Sequence, residues 1–148
     1  MIKHILFPTD TSRMSVAGFP LAVNLARRYG ARITVLNVHQ EFMSKEEMLT
    51  LRVSPSHFEE VMREKALASR VEIDKMIAAE EAGDLCTVIL REGHPRKKII
   101  EVAAELEADM IVMTSNGRSN LSEEILGSTA EYVIRHSPIP VLVVKVRK

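Results

Sequence analysis

The sequence predicts an α/β fold in which five parallel strands form one sheet with helices packed on both of its faces. Two observations predict it. Short apolar runs alternate with helical periods in the order βαβαβαβαβ, with no linker, repeat or low-complexity tract between them. Those runs are apolar at consecutive positions, which marks strands buried on both sides. Composition agrees: 46% of residues are apolar, there are two tyrosines and four phenylalanines but no tryptophan, and the core is therefore aliphatic. The 148 residues are read as one domain, 1–148. A domain of that size needs neither disulfides nor metals to close its core.

The first strand is Ile2 to Phe7, stopped by Pro8. A helix follows between Ser12 and Tyr29, with Phe19, Ala22, Val23 and Ala26 on one face and Gly30 as its stop. Pro20 costs about 3 kcal/mol inside a helix, so a kink or a late start near Gly18 is expected there. Ile33 to Val38 is the second strand, and residues 39–57 form a long loop without clear periodicity, ending at Ser54-Pro55. A loop of that length is functional or mobile. Phe58, Met62, Ala66, Ile73 and Ile77 fall at helical multiples and place a long helix from about Ser56 to Gly83; Glu59, Arg63, Glu64, Lys65, Arg70 and Glu72 form its solvated face. The third strand is Leu85 to Leu90. Pro95 opens a helix carrying Ile99, Ile100, Ala103 and Leu106. Met110 to Met113 is the fourth strand, Leu126 to His136 a helix, and Val141 to Val146 the fifth strand, with Pro140 at its start.

Several classes are excluded. Twenty basic residues balance twenty acidic ones, which argues against a nucleic-acid partner. Cys86 has no second cysteine to pair with and lies in an apolar run, so it reads as a small core residue. No signal-peptide pattern and no apolar stretch long enough to span a bilayer is present, which leads to the expectation of a cytoplasmic protein with no membrane partner.

A doubly wound sheet binds ligands at the carboxyl ends of its strands, where the winding reverses. The turn after strand one is Pro8-Thr9-Asp10-Thr11-Ser12, in which Asp10, Thr11 or Ser12 can also serve as a helix N-cap. After strand three, Gly93-His94-Pro95 leads into Arg96-Lys97-Lys98. Three cations in a first turn oppose the helix dipole, so they either face phosphate or form a solvated basic patch. After strand four, Thr114-Ser115-Asn116-Gly117-Arg118 is followed by Gly127-Ser128-Thr129 at a helix start. Glycine turns and a helix N-terminus present unpaired N–H groups and hydroxyls, a cradle suited to phosphate, although Ser128 can equally be a plain N-cap.

Three segments together resemble the universal stress protein A domain family: Ile5-Leu6-Phe7-Pro8-Thr9-Asp10, the Gly117 to Gly127-Ser128 spacing, and Ser137-Pro138-Ile139-Pro140-Val141-Leu142-Val143-Val144. They occur in the right order over essentially the whole chain. The resemblance implies a Rossmann-like sheet of the adenine nucleotide alpha hydrolase-like kind, in the order 3-2-1-4-5. In the ATP-binding branch the loop reads G-x2-G-x9-G-[S/T]; Gly117, Gly127 and Ser128 match it, and Thr114 replaces the first glycine. By resemblance, Asp10 and the backbone around Pro8, Thr9 and Val38 face adenine and ribose, while Gly117, Gly127 and Ser128 hold ribose and phosphates. Thr114, Arg118 and Thr129 complete the expected set. The cofactor implied is ATP, with Mg²⁺ accompanying it.

A Cβ at Thr114 either crowds a phosphate or offers it a replacement hydroxyl. The fifth strand, Val141 to Val144, is apolar on both faces yet falls at a sheet edge in the implied order. Antiparallel pairing of two such edges in a homodimer resolves that hazard, as in the family's usual dimer. No GxSxG elbow, HExxH or P-loop is present, so the reading is a nucleotide-binding stress or regulatory module with slow ATP hydrolysis at most. The alternative is a stress or interaction protein, with a protein partner unknown from sequence, that keeps the fold without the nucleotide. An adenylate-forming enzyme on the related fold is disfavoured by its missing motifs.

Overall fold

The computed structural model describes residues 1–40, 44–117 and 125–146. Five strands form one parallel sheet: β1 (His4–Pro8), β2 (Arg32–His39), β3 (Cys86–Glu92), β4 (Met110–Thr114) and β5 (Val141–Val144), in the spatial order β3-β2-β1-β4-β5. The six helices among the described residues are α1 (Arg13–Val16), α2 (Phe19–Tyr29), α3 (Lys45–Thr50), α4 (Pro55–Ala79), α5 (Pro95–Glu105) and α6 (Ser128–His136).

Strand alternation divides the apolar residues between two cores. Ile5, Phe7, Ile33, Val35 and Val112 face one side, where Phe19, Ala22 and Val23 of α2 and Ile73, Met76 and Ile77 of α4 cover them. Leu6, Leu36, Ile111 and Met113 face the other, under Ile99 and Val102 of α5 and Ala130 and Val133 of α6. The first two crossovers thus lie on one face and the last two on the other. The winding reverses between β1 and β4.

Helix boundaries follow from caps. The first expected helix is two: Ser12 caps α1 by accepting from the Ser15 N–H, and α2 starts after Gly18 with Pro20 in its first turn, where its missing donor is harmless. Gly30, at φ 65°, ends α2 as expected. Ser54 caps α4, which stops at Ala79 rather than Gly83. Glu81 there adopts φ 51°, and the Arg27 guanidinium donates to the Glu80 and Glu81 carbonyls at 3.1 Å each. The charged face of α4 is exposed as read. The stretch expected to be a plain loop contains α3, capped by Ser44. In addition, α6 begins at Ser128 instead of Leu126, and β5 ends at Val144 instead of Val146.

At the amino end of the sheet, the backbone N–H groups of Lys3 and His4 donate to Asp109 Oδ2 at 2.8 and 2.9 Å, which holds that carboxyl below its ordinary pKa. His4 is buried; Thr34 Oγ1 lies 2.7 Å from its Nε2 and the Leu106 carbonyl 3.3 Å from its Nδ1. A neutral ring donating from Nδ1 and accepting at Nε2 satisfies both contacts. Burial, helped by Arg32, lowers the His4 pKa from 6.5. The unfolded chain therefore takes up this proton first, and stability is expected to fall as the pH drops below about 6.5, levelling off below the folded-state pKa. Melting curves between about pH 7.5 and pH 5.5 check this: His4→Gln should flatten the profile, and a slope identical to wild type would rule the assignment out.

Candidate functional site

A cavity of about 290 Å³ opens at the carboxyl ends of β1 and β4, at the point where the winding reverses. Nine of the ten positions expected to bind nucleotide line it: Pro8, Thr9, Asp10, Val38, Thr114, Gly117, Gly127, Ser128 and Thr129. The tenth, Arg118, lies outside the described residues.

The turn after β1 is built from its own hydroxyl and carboxylate groups. Thr9 Oγ1 accepts from the Thr11 N–H at 3.0 Å and lies 2.7 Å from Ser15 Oγ. Asp10 Oδ1 accepts from the Ser12 N–H at 2.9 Å. Asp10 thus shapes the turn while Ser12 does the capping. The β2 strand supports this turn from the side: the Thr9 N–H donates to the Leu36 carbonyl at 2.9 Å, and Asn37 Nδ2 donates to the Thr9 carbonyl at 2.8 Å. Gly117 closes over Asp10, and any Cβ there would collide with the carboxylate.

Opposite this turn stands the first turn of α6. Gly127 is its N-cap, and no side chain among the described residues caps the helix. The Gly127 N–H donates to the Ser115 carbonyl at 2.7 Å. Ser128 is therefore the first helical residue and not the cap. The first-turn N–H groups of α6 face the same cavity as Asp10, so the positive end of a helix dipole meets it.

Thr114 lines the cavity, and its side-chain contacts lie within the protein. Its side chain points to the face shared with Val112, where Cγ2 would lie 2.5 Å from a Cβ at Gly18. Its hydroxyl donates to the Asn116 carbonyl at 2.8 Å. The threonine packs against the start of α2 and ties its own loop; its hydroxyl is engaged within the protein.

The cavity also takes in residues that sequence reasoning missed. Leu36, Met113, Ile99 and Pro95 give it apolar walls, and Ser15, Ser115, Asn116 and Ala130 complete it. Asn116 is 5% exposed, and its Oδ1 has no hydrogen-bond partner among the described residues. Its place between Thr114 and Gly117 was the available signal. Asp10 is the one ionisable group among the described lining residues.

The remaining candidates lie elsewhere. Cys86 opens β3, away from the carboxyl ends of the strands; burial and Asp84 push its thiol up to about 11. A thiol so raised is a packing group rather than a nucleophile. His94 is the exposed N-cap residue of α5 and makes no side-chain cap bond. Val141 to Val144 are half-buried on edge strand β5.

Residues 1–145 match the universal stress protein family. The chain belongs to that family. A universal stress protein of Methanocaldococcus jannaschii is 34% identical to it over 145 residues, spanning 98% of this chain and 83% of that relative. The universal stress protein YxiE of Bacillus subtilis is 31% identical over 148 residues, spanning 98% of this chain and all of the relative. Among solved structures, the universal stress protein UspA of Lactobacillus plantarum superimposes with a TM-score of 0.79 at 25% identity, over 96% of this chain and 97% of that one. The universal stress protein sheet order expected from the sequence is the order observed. No helix among the described residues is long and apolar enough to cross a membrane.

Proposed function

We propose that this universal stress protein binds an adenine nucleotide, ATP foremost, in the cavity between β1 and α6, and acts as a regulatory module without committed catalysis. One observation carries the reading: the first turn of α6 has no side-chain cap among the described residues and opens on the cavity opposite the Asp10 turn. Such a turn is a ready anion site. The apolar walls, Leu36, Val38, Ile99 and Met113, suit the faces of a base. At about 290 Å³ the cavity is at the small end for ligand sites, enough for base and ribose with the phosphates running out past Ser128. Asp10, Gly117, Gly127, Ser128 and Thr129 are the residues assigned to ribose and phosphates. Mg²⁺ would arrive with the phosphates, and Asp10 is the one carboxylate among the described lining residues. Two structures of this fold are described as complexes, one with cAMP at 21% identity and one with dAMP at 18%. Likeness at that level carries the fold alone, so the ligand class rests on this chain's own cavity.

The same reading takes residues 1–148 as one domain, places the protein in the cytoplasm, and pairs two copies through β5. The Val141 to Val144 edge is half-exposed along its length and has an open ladder to offer.

The test is direct. Protein purified without added ligand is denatured in acid and its supernatant analysed for nucleotide, and ATP is then titrated against thermal stability. ATP at about 100 times its Kd should add about 2.7 kcal/mol, roughly 5–10 °C in Tm. Neither nucleotide nor shift would sink the proposal and leave an interaction protein on the same fold.

A further inference from the structure

Arg96, Lys97 and Lys98 open α5 against its dipole, and the cavity walls use none of them. Lys98 is engaged with Glu101, Nζ to Oε2 3.1 Å, and Lys97 is exposed. Arg96 is placed differently. It reaches from α5 to α6, where its guanidinium carbon lies 5.6 Å from the centroid of the Tyr132 ring, and it has no ion-pair partner among the described residues.

The position matters because Tyr132 follows Ser128 by four residues on the same face of α6, about 6 Å along the axis. Ser128 is exposed at the cavity mouth, and Pro95, next to Arg96, lines the cavity. Arg96 is therefore moored about one turn of α6 beyond Ser128. The mooring is weak, since a partly exposed cation–π contact is a poorer bond than a forked, charge-assisted one to phosphate. Among the described residues the lining holds a carboxylate, Asp10, and no cation, so a cation reaching in from beside these walls would add favourable charge for a polyphosphate. A second feature marks the α6 end as made for a ligand: the buried Asn116 Oδ1, without a partner among the described residues, lies 3.3 Å from where a Cβ on Gly127 would stand.

We propose that Arg96 is a phosphate-reading arm: it leaves the Tyr132 ring and forks onto the outer phosphates of the bound nucleotide. The site would then discriminate adenine nucleotides by phosphate number, holding tri- and diphosphates above the monophosphate. This rests on the nucleotide reading of the cavity.

The experiment is calorimetric titration of the full chain with adenosine, AMP and ATP, at low and high salt, for wild type, Arg96→Gln, Arg96→Lys and Tyr132→Leu. Arg96→Gln should weaken ATP about tenfold while changing adenosine less than about twofold. Arg96→Lys should recover only part of the loss, because it keeps the charge but not the fork, and high salt should narrow the wild-type preference for ATP over AMP. Tyr132→Leu removes the mooring and should leave ATP affinity intact or tighter. If no ligand binds the wild type, the cavity reading fails and the arm with it. If the wild type binds but Arg96→Gln weakens ATP and adenosine equally, or neither, the arm is overturned and the cavity reading stands. A loss in Tyr132→Leu equal to that in Arg96→Gln would likewise reduce Arg96 to a structural stack.

Discussion

Gly127→Val is expected to remove the ATP-dependent rise in Tm altogether. The reason is space, because Gly127 adopts φ −65° and ψ 155°, a conformation open to any residue. A Cβ there would stand 2.8 Å from the Ser115 carbonyl oxygen and 3.3 Å from Asn116 Oδ1. The first neighbour is backbone already bonded to the Gly127 N–H at 2.7 Å, so it cannot rotate away as a side chain end can. The Ser115–Gly117 segment must then separate from the start of α6, and the opposed N–H groups and Asp10 turn lose their spacing. Differential scanning fluorimetry with and without ATP reads the effect. Ser128→Ala should weaken binding without abolishing it, since the backbone donors remain. Unchanged ATP affinity in both variants would place the ligand elsewhere.

The largest expected loss of stability comes from Phe19→Ala, about 3–5 kcal/mol. Phe19 and Phe7 are both fully buried, with ring centroids 5.2 Å apart and planes at 66°, an edge-to-face pair. In so aliphatic a core these rings fix α2 against the centre of the sheet. A typical domain is stable by 5–15 kcal/mol, so this loss leaves the protein close to unfolding. Urea titration measures it, with Leu67→Ala, on the exposed face of α4, expected within about 0.5 kcal/mol of wild type. A Phe19→Ala cost under about 1 kcal/mol would mean the core collapses around the gap.

Much of this fold was legible in the sequence, for a physical reason. Parallel strands covered on both sides must be apolar at consecutive positions, and Ile33 to Val38 or Met110 to Met113 can hardly be read otherwise. Ends were less legible. Strand and helix limits depend on individual hydrogen bonds, such as the Arg27 guanidinium on the last carbonyls after α4, between groups more than fifty positions apart. Helix α3 escaped notice because Leu49, 81% exposed, contributes to no buried face and so leaves no period.

The site divides along the same line. Glycines and the aspartate of short turns show themselves by spacing, and Asp10, Gly117 and Gly127 converge on one cavity. Asn116 and Ser115 carry no pattern beyond their place between Thr114 and Gly117, and their part in the site shows once Gly127 is seen against them. Thr114 illustrates the limit best: its identity was plain, but the direction of its side chain depends on which sheet face position 114 serves. The placing of Arg96 over Tyr132 is likewise a property of how α5 packs on α6.

The contact between Thr114 and Gly18 has a consequence for how such chains diverge. A methyl group from the end of β4 fills the place that a side chain at the start of α2 would take. The two positions, almost a hundred residues apart, are coupled in packing. Glycine at 114 vacates that volume, and a larger residue at 18 becomes permissible only then. A chain with both side chains would be overpacked at this point, and one with neither would leave a gap there.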